Sequence, residues 1–132
     1  MFSVDLGAGW SAVPQTSGVS IKPLSGDFDE SAGKGFRTRY VKFAPGGETF
    51  APFTHNCWEE ALLIEGEIAQ KATGKALRAP AYVIRPPGAP HGPLRSEGGC
   101  LMIEAQYFAD RAVGLTAFRP QRSGEAASKS GR

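Results

Sequence analysis

The stretch "GETFAPFTHNCWEEALLIEG", Gly47 to Gly66, decides how this chain is read. It brings His55, Cys57, Glu59 and Glu60 close together and then runs into an apolar segment that closes on a glycine. Imidazole, thiolate and carboxylate are the donors that bind transition metals. The same residues also suit the polar end of a strand in an ordinary β domain. The following segment "EALLIEGEIAQ" (Glu60 to Gln70) reads as two strands, or one bent strand interrupted at Gly66, where a positive φ or a close backbone approach is expected.

Outward from this stretch the pattern is that of short β-rich runs separated by turn residues, with little at helical spacing. "VSIKPL" (Val19 to Leu24) alternates apolar and polar, and Pro23 marks it as an edge strand. In "FRTRYVKFA" (Phe36 to Ala44), Phe36, Thr38, Tyr40 and Lys42 share one face while Arg37, Arg39, Val41 and Phe43 share the other. "PGGE" (Pro45 to Glu48) reads as a turn. The run "AYVIRPPGAPHGPL" (Ala81 to Leu94) is a strand stopped by Pro86 and Pro87. "CLMIEAQYF" (Cys100 to Phe108) is the strongest strand, and its alternation leaves open which face is internal. "ADRAVGLTAF" suits a last strand or a helical turn, and the polar tail 120–132 reads as disordered. Six to nine strands with turns every 8 to 12 residues describe an all-β sandwich or barrel, with one domain over residues 1–119.

Composition narrows the function. A chain of 132 residues buries roughly two thirds of its unfolded surface around one core. Its 17 glycines and 10 prolines favour a turn-rich β domain over a helical one. The net charge of +2 is spread over 15 basic and 13 acidic residues without a basic block, which argues against nucleic acid as a partner. No run reaches the ~18–20 apolar residues that span a bilayer, and the N-terminus lacks the pattern of a signal peptide, so a cytoplasmic protein is expected. Cys57 and Cys100 fit that compartment as free thiols, with a bridge between neighbouring strands left open.

The two histidines of the chain, His55 and His91, both stand in Gly/Pro-framed turns beside strands. Two imidazoles and one carboxylate bind a divalent ion on one face and leave positions open for substrate or oxygen. Here the residues meet a resemblance. "GETFAPFTHNCWEEALLIEG" resembles the first motif of the cupin superfamily, GxxxxxHxHxxxExxxxxxG, with Gly47, His55, Glu59 and Gly66 in register and Phe53 where the first histidine stands. "PAYVIRPPGAPHGPLR" resembles the second motif, GxxxxxPxGxxHxxxN: Pro86, Gly88 and His91 match, while Pro80 and Arg95 replace the glycine and asparagine. The motifs cover residues 47–95, and their wording resembles the small single-domain cupins grouped with ChrR-type anti-sigma factors and with mononuclear metal dioxygenases.

That resemblance implies a jelly-roll barrel of the RmlC-like kind, often a homodimer, with one divalent metal ion (iron, manganese, nickel or zinc) in its mouth. The ligands it assigns are His55, Glu59 and His91, with Glu59 and His91 as candidate catalytic residues. Glu60 is expected to point outward and Cys57 to sit between ligands. Phe53, Gln106 and Tyr107 are candidates for the pocket of a small-molecule substrate, and Arg85 and Arg95 for recognition of a carboxylate. The function expected is that of a metalloenzyme acting on a small oxygenated compound, or else a sensor module or a metal-free lyase or isomerase.

Overall fold

The structure is a computed structural model and describes residues 1–109. The expectations for the segment after Ala109 and for the tail 120–132 lie outside the described residues. Among the described residues eight strands form: β1 (Ser11–Ala12), β2 (Thr16–Asp29), β3 (Lys34–Thr49), β4 (Trp58–Gln70), β5 (Ala76–Arg78), β6 (Ala81–Arg85), β7 (Leu94–Ser96) and β8 (Cys100–Tyr107). All pairings are antiparallel. Among the described residues no helix is long and apolar enough to cross a membrane.

The sheet closes on itself. β8 pairs with β3 on one side and β4 on the other, and β7 also pairs with both, so the ring runs β3, β8, β4, β7 and back to β3. β2 extends the sheet beyond β3, and β5 and β6 extend it beyond β4. This is the all-β jelly-roll barrel that the motifs imply.

Closure requires the two longest ring strands to change partner midway. β3 follows β8 as far as Phe43 opposite Cys100, then joins β7 at Gly47 opposite Ser96. "PGGE" is therefore not a turn. It lies inside β3, where the register against β2 jumps between the Val19–Phe43 and Ser17–Glu48 pairs. Turn chemistry and bulge chemistry use the same residues, because both need backbone freedom within one extended chain.

β4 makes the matching change at Gly66, which lies opposite Cys100 at the end of β8; the chain then continues beside β5 and β7. It is one bent strand and not two. Gly66 has φ +78°, and a Cβ there would lie 2.0 Å from the Gly99 carbonyl oxygen and 2.9 Å from Cys100 Cα. Only glycine fits.

Inside the ring, Val19, Val41, Phe43, Leu63, Ile68 and Met102 pack as a buried apolar cluster. Along β8 the buried side chains are Cys100, Met102, Glu104 and Gln106, while Leu101, Ile103, Ala105 and Tyr107 face outward. The strand thus turns its more polar face inward. Cys57 and Cys100 are both buried free thiols.

The corner at Gly66 yields a stability prediction. Gly66→Ala combines an unfavourable φ with contact against backbone and should cost about 3 kcal/mol, lowering the melting midpoint by roughly 10 °C. Gly74→Ala, at φ +69° with nothing within 4 Å of the new Cβ, should cost only ~1 kcal/mol. Thermal unfolding of the two variants side by side checks the difference, and equal losses would contradict the role of the corner.

Candidate metal centre

The register of the ring lines up four polar residues across four strands. Arg37 of β3 lies opposite Gln106 of β8, Gln106 opposite Glu59 of β4, and Glu59 opposite Arg85 of β6. Their side chains bond in the same order. Arg37 Nε donates to Gln106 Oε1 at 2.6 Å, Gln106 Nε2 donates to Glu59 Oε2 at 2.8 Å, and Arg85 Nη1 donates to Glu59 Oε1 at 2.9 Å. Glu59 is 2% exposed. A buried carboxylate needs a cation and a hydrogen-bond donor to stay charged, and this rung supplies one on each oxygen.

The next rung inward is Arg39, Glu104 and Ala61. Arg39 donates from Nε to Glu104 Oε1 at 2.7 Å, and its Nη2 reaches the same oxygen at 2.7 Å. Burial, and then the nearby Glu59 carboxylate, push the Glu104 carboxyl above its ordinary range despite Arg39. Below these two rungs the inner face is apolar, with Val41, Met102, Leu63 and Ala81 in register. The result is a cavity of about 500 Å³ with these polar rungs and an apolar band next to them, lined as well by Thr16, Thr49, Gln70 and Lys75. That size is ordinary for a small-molecule site.

The histidines enter from loops that are stitched together. Phe53 and His91 form an isolated bridge, with Phe53 N–H on the His91 carbonyl at 2.7 Å and His91 N–H on the Phe53 carbonyl at 3.0 Å. The Gly88 amide donates to the His55 carbonyl at 2.7 Å. Gly88 sits at φ +82°, beyond a proline pair that fixes the exit of β6. Two motifs about 35 residues apart in sequence thus become one mouth.

His55, Glu59 and His91 each offer a ligand atom, and these atoms all lie within 4.8 Å of one another. His55 Nε2 stands 3.3 Å from Glu59 Oε2, and His91 Nε2 stands 3.6 Å from Glu59 Oε1. Two ligands each about 2.1 Å from one ion stand roughly 3 to 4 Å apart, so the spacing suits an ion better than direct bonding. His91 Nδ1 is buried without a hydrogen-bond partner. Burial pushes the His91 imidazole toward its neutral form, which Arg85 and His55 reinforce and Glu59 opposes. Neutral imidazole is the form that binds metal. Each Glu59 oxygen keeps a second lone pair after accepting its hydrogen bond. The donor set fits a divalent ion.

The other candidate positions fall as follows. Phe53 lines the cavity beside His91, with ring centroids 5.9 Å apart. Gln106 is buried and acts on Glu59 and does not line the cavity. Tyr107 does not face the cavity: it lies on the outer face of β8, where it meets Glu60 together with Tyr82. Glu60 accordingly points away from the site. Cys57 lies outside the cluster, and burial, together with Glu30 and Glu59, pushes its thiol up to about 11, where it stays neutral. Arg95 is on the surface with Glu97 and Glu48. Sequence reading missed Arg37 and Arg39 as site residues. It also missed Glu30, whose carboxylate stands 3.7 Å from His55 Nδ1 at the tip of the β2–β3 hairpin. Nothing in the chain order signals these partners, because the arginines meet theirs through the strand register and Glu30 reaches His55 from a hairpin turn.

The family model described as the ChrR Cupin-like domain matches residues 6–109. The chain belongs to this cupin family. Among solved structures this cupin is similar to an acetylacetone dioxygenase from Acinetobacter johnsonii, with TM-score 0.63 and 18% identity over 83% of this chain and 77% of that one. It is similar to the polyketide cyclase RemF from Streptomyces resistomycificus, with TM-score 0.59 and 20% identity over 80% and 78% of the two chains. A chain of the Rhodobacter sphaeroides complex of SigE with the anti-sigma ChrR matches with TM-score 0.58 and 17% identity; the match covers 76% of this chain and 50% of that one. At such identities the likeness carries the fold alone. No curated protein matches the chain significantly.

The neutral His91 gives this cupin a pH signature. The unfolded imidazole takes up a proton near its ordinary value of 6.5, while the folded site, where that value is lowered, resists protonation. Stability present above pH 6.5 is therefore lost progressively as pH falls below it. In the presence of chelator, urea midpoints at pH 7.5 and 5.5 should diverge more for wild type than for His91→Gln. A parallel fall in both proteins would contradict the assignment.

Proposed function

We propose that this cupin is a mononuclear metalloenzyme of the dioxygenase-like kind, holding one divalent ion with His55, Glu59 and His91 and acting on a small oxygenated organic compound. The observation that carries this reading is the convergence of both imidazole Nε2 atoms on the two oxygens of one buried carboxylate. A divalent ion there supplies Lewis acidity or a site for O2, with positions left open by the three-residue set. The chain's own residues do the rest. Arg85 and Gln106 hold Glu59 in place, the apolar wall below excludes water, and Glu104, next to Arg39 and facing the cavity, is the group positioned to hold or release a proton. Phe53 occupies the place of a fourth ligand with an apolar ring and narrows the mouth beside His91. The fold shared with the acetylacetone dioxygenase is compatible with that reaction class.

A sensor or binding module is the second reading, and one observation favours it. Glu59 is already neutralised by Arg85, so the pocket is charge-balanced without an ion. We also propose a homodimer. Leu62 and Tyr82, neighbours on the outer face of β4 and β6, are 46% and 48% exposed and offer an apolar surface for it.

Protein purified without chelator or affinity tag should carry about one equivalent of divalent metal, falling at least about tenfold in affinity when an imidazole ligand is removed, as in His55→Ala or His91→Ala. Metal analysis of the three proteins checks this. Wild type carrying no more metal than the variants would defeat the metalloenzyme reading. Oxygen uptake with β-diketones and catechols separates enzyme from sensor.

A further inference from the structure

Among the described residues, the charged groups lining the cavity form two salt bridges and leave one positive charge over. Glu59 is balanced by Arg85, and Glu104 by Arg39. Lys75 at the edge of the cavity adds a positive charge, and no described carboxylate pairs with it. The two imidazoles bind a metal as neutral rings. A divalent ion placed among His55, Glu59 and His91 would therefore bring two positive charges that no described carboxylate of the cavity lining cancels; Glu30, 3.7 Å from His55 Nδ1, stands outside that lining and is 45% exposed. The wall next to the cluster is Val41, Ala61, Leu63, Val83 and Met102, all apolar, while Thr16, Thr49, Gln70 and Lys75 also line the cavity. Uncompensated charge in such surroundings is strongly disfavoured unless a counter-charge enters with it.

Arg85 has the donors to receive that counter-charge. Among the described residues only its Nη1 bonds another side chain, and Arg85, 23% exposed, lines the cavity. The remaining Nε and Nη2 N–H groups form the fork that matches a carboxylate edge-on. When an ion shares Glu59, the guanidinium is correspondingly less committed to that carboxylate.

We propose that the metal-loaded cavity takes an apolar monocarboxylate, its head group between the ion and Arg85 and its hydrocarbon body along Val41, Ala61, Leu63, Val83 and Met102. Arg85 is thereby the specificity-determining residue for a negatively charged ligand. The inference rests on the metal reading above and adds the ligand class to it. The cavity of about 500 Å³ has room for roughly 15 non-hydrogen atoms at about 30 Å³ each, which covers a medium-chain or branched acid.

The test is calorimetric titration of hexanoate and its neutral isostere hexanamide into zinc-loaded wild type, chelator-stripped wild type, Arg85→Gln and Arg85→Lys, with zinc stoichiometry measured on each. Zinc-loaded wild type should bind hexanoate at least about tenfold more tightly than hexanamide. That preference should shrink to within about threefold in Arg85→Gln and be intermediate in Arg85→Lys, which keeps the charge and loses the fork. It should also be smaller in the stripped protein. Because Arg85 also holds Glu59, one zinc bound per chain in each variant is the check that the site is intact. With one zinc bound per chain, the proposal is overturned alone if hexanoate does not outbind hexanamide, the absence of binding by either included, or if Arg85→Gln keeps the full preference. Failure of wild type to retain zinc overturns the metal reading and this proposal together.

Discussion

The hydrogen-bonded rung from Arg37 through Gln106 and Glu59 to Arg85 is the constraint on which the site depends. Glu59 is a charged group removed from water, and only its two partners make that tolerable. Gln106 fixes one oxygen and Arg85 the other, so the carboxylate cannot rotate or retreat to solvent. Both imidazoles are then measured against a fixed point. Without the rung, His55 and His91 would be two loop histidines near a mouth.

The rung exists because the barrel closes where it does. β8 is shared by β3 and β4 over its whole length, and this sharing sets Arg37, Gln106 and Glu59 level. Both partners must leave β8 at its Cys100 end, β3 through the bulge at Pro45–Glu48 and β4 through Gly66. A slip of one residue in either strand would reverse its faces, placing Glu60 inside in place of Glu59. The motif glycines Gly47 and Gly66 thus act on the chemistry from the far end of the same strands. They fix the register that the ligands require.

Much of this was legible in the chain itself. The resemblance to the two cupin motifs set His55, Glu59 and His91 apart as one group, since the motifs mark both loops and the glycine that closes the first marks a corner. What stayed hidden was cross-strand. Arg37 and Gln106 are 69 residues apart, and Glu59 and Arg85 are 26 apart; nothing local announces either pair. The "PGGE" segment was misread because a bulge and a turn share one composition. The inner face of β8 could not be chosen because hydrophobicity points the wrong way: Leu101, Ile103 and Tyr107 form the more apolar row, yet Glu104 and Gln106 lie inside, where two arginines satisfy them. For the same reason Gln106 and Tyr107, on opposite faces, both stand as pocket candidates in the sequence, and Tyr107 lies on the outer face.

The central claim is that three residues, two of them imidazoles and none of them a cysteine, hold the ion. X-ray absorption at the metal edge of the zinc-loaded protein tests it most directly. The account predicts two imidazole ligands with only nitrogen and oxygen in the first shell, at about 2.0–2.2 Å. A sulfur scatterer near ~2.3 Å, which would bring Cys57 into the shell, or fewer than two imidazoles, would contradict it.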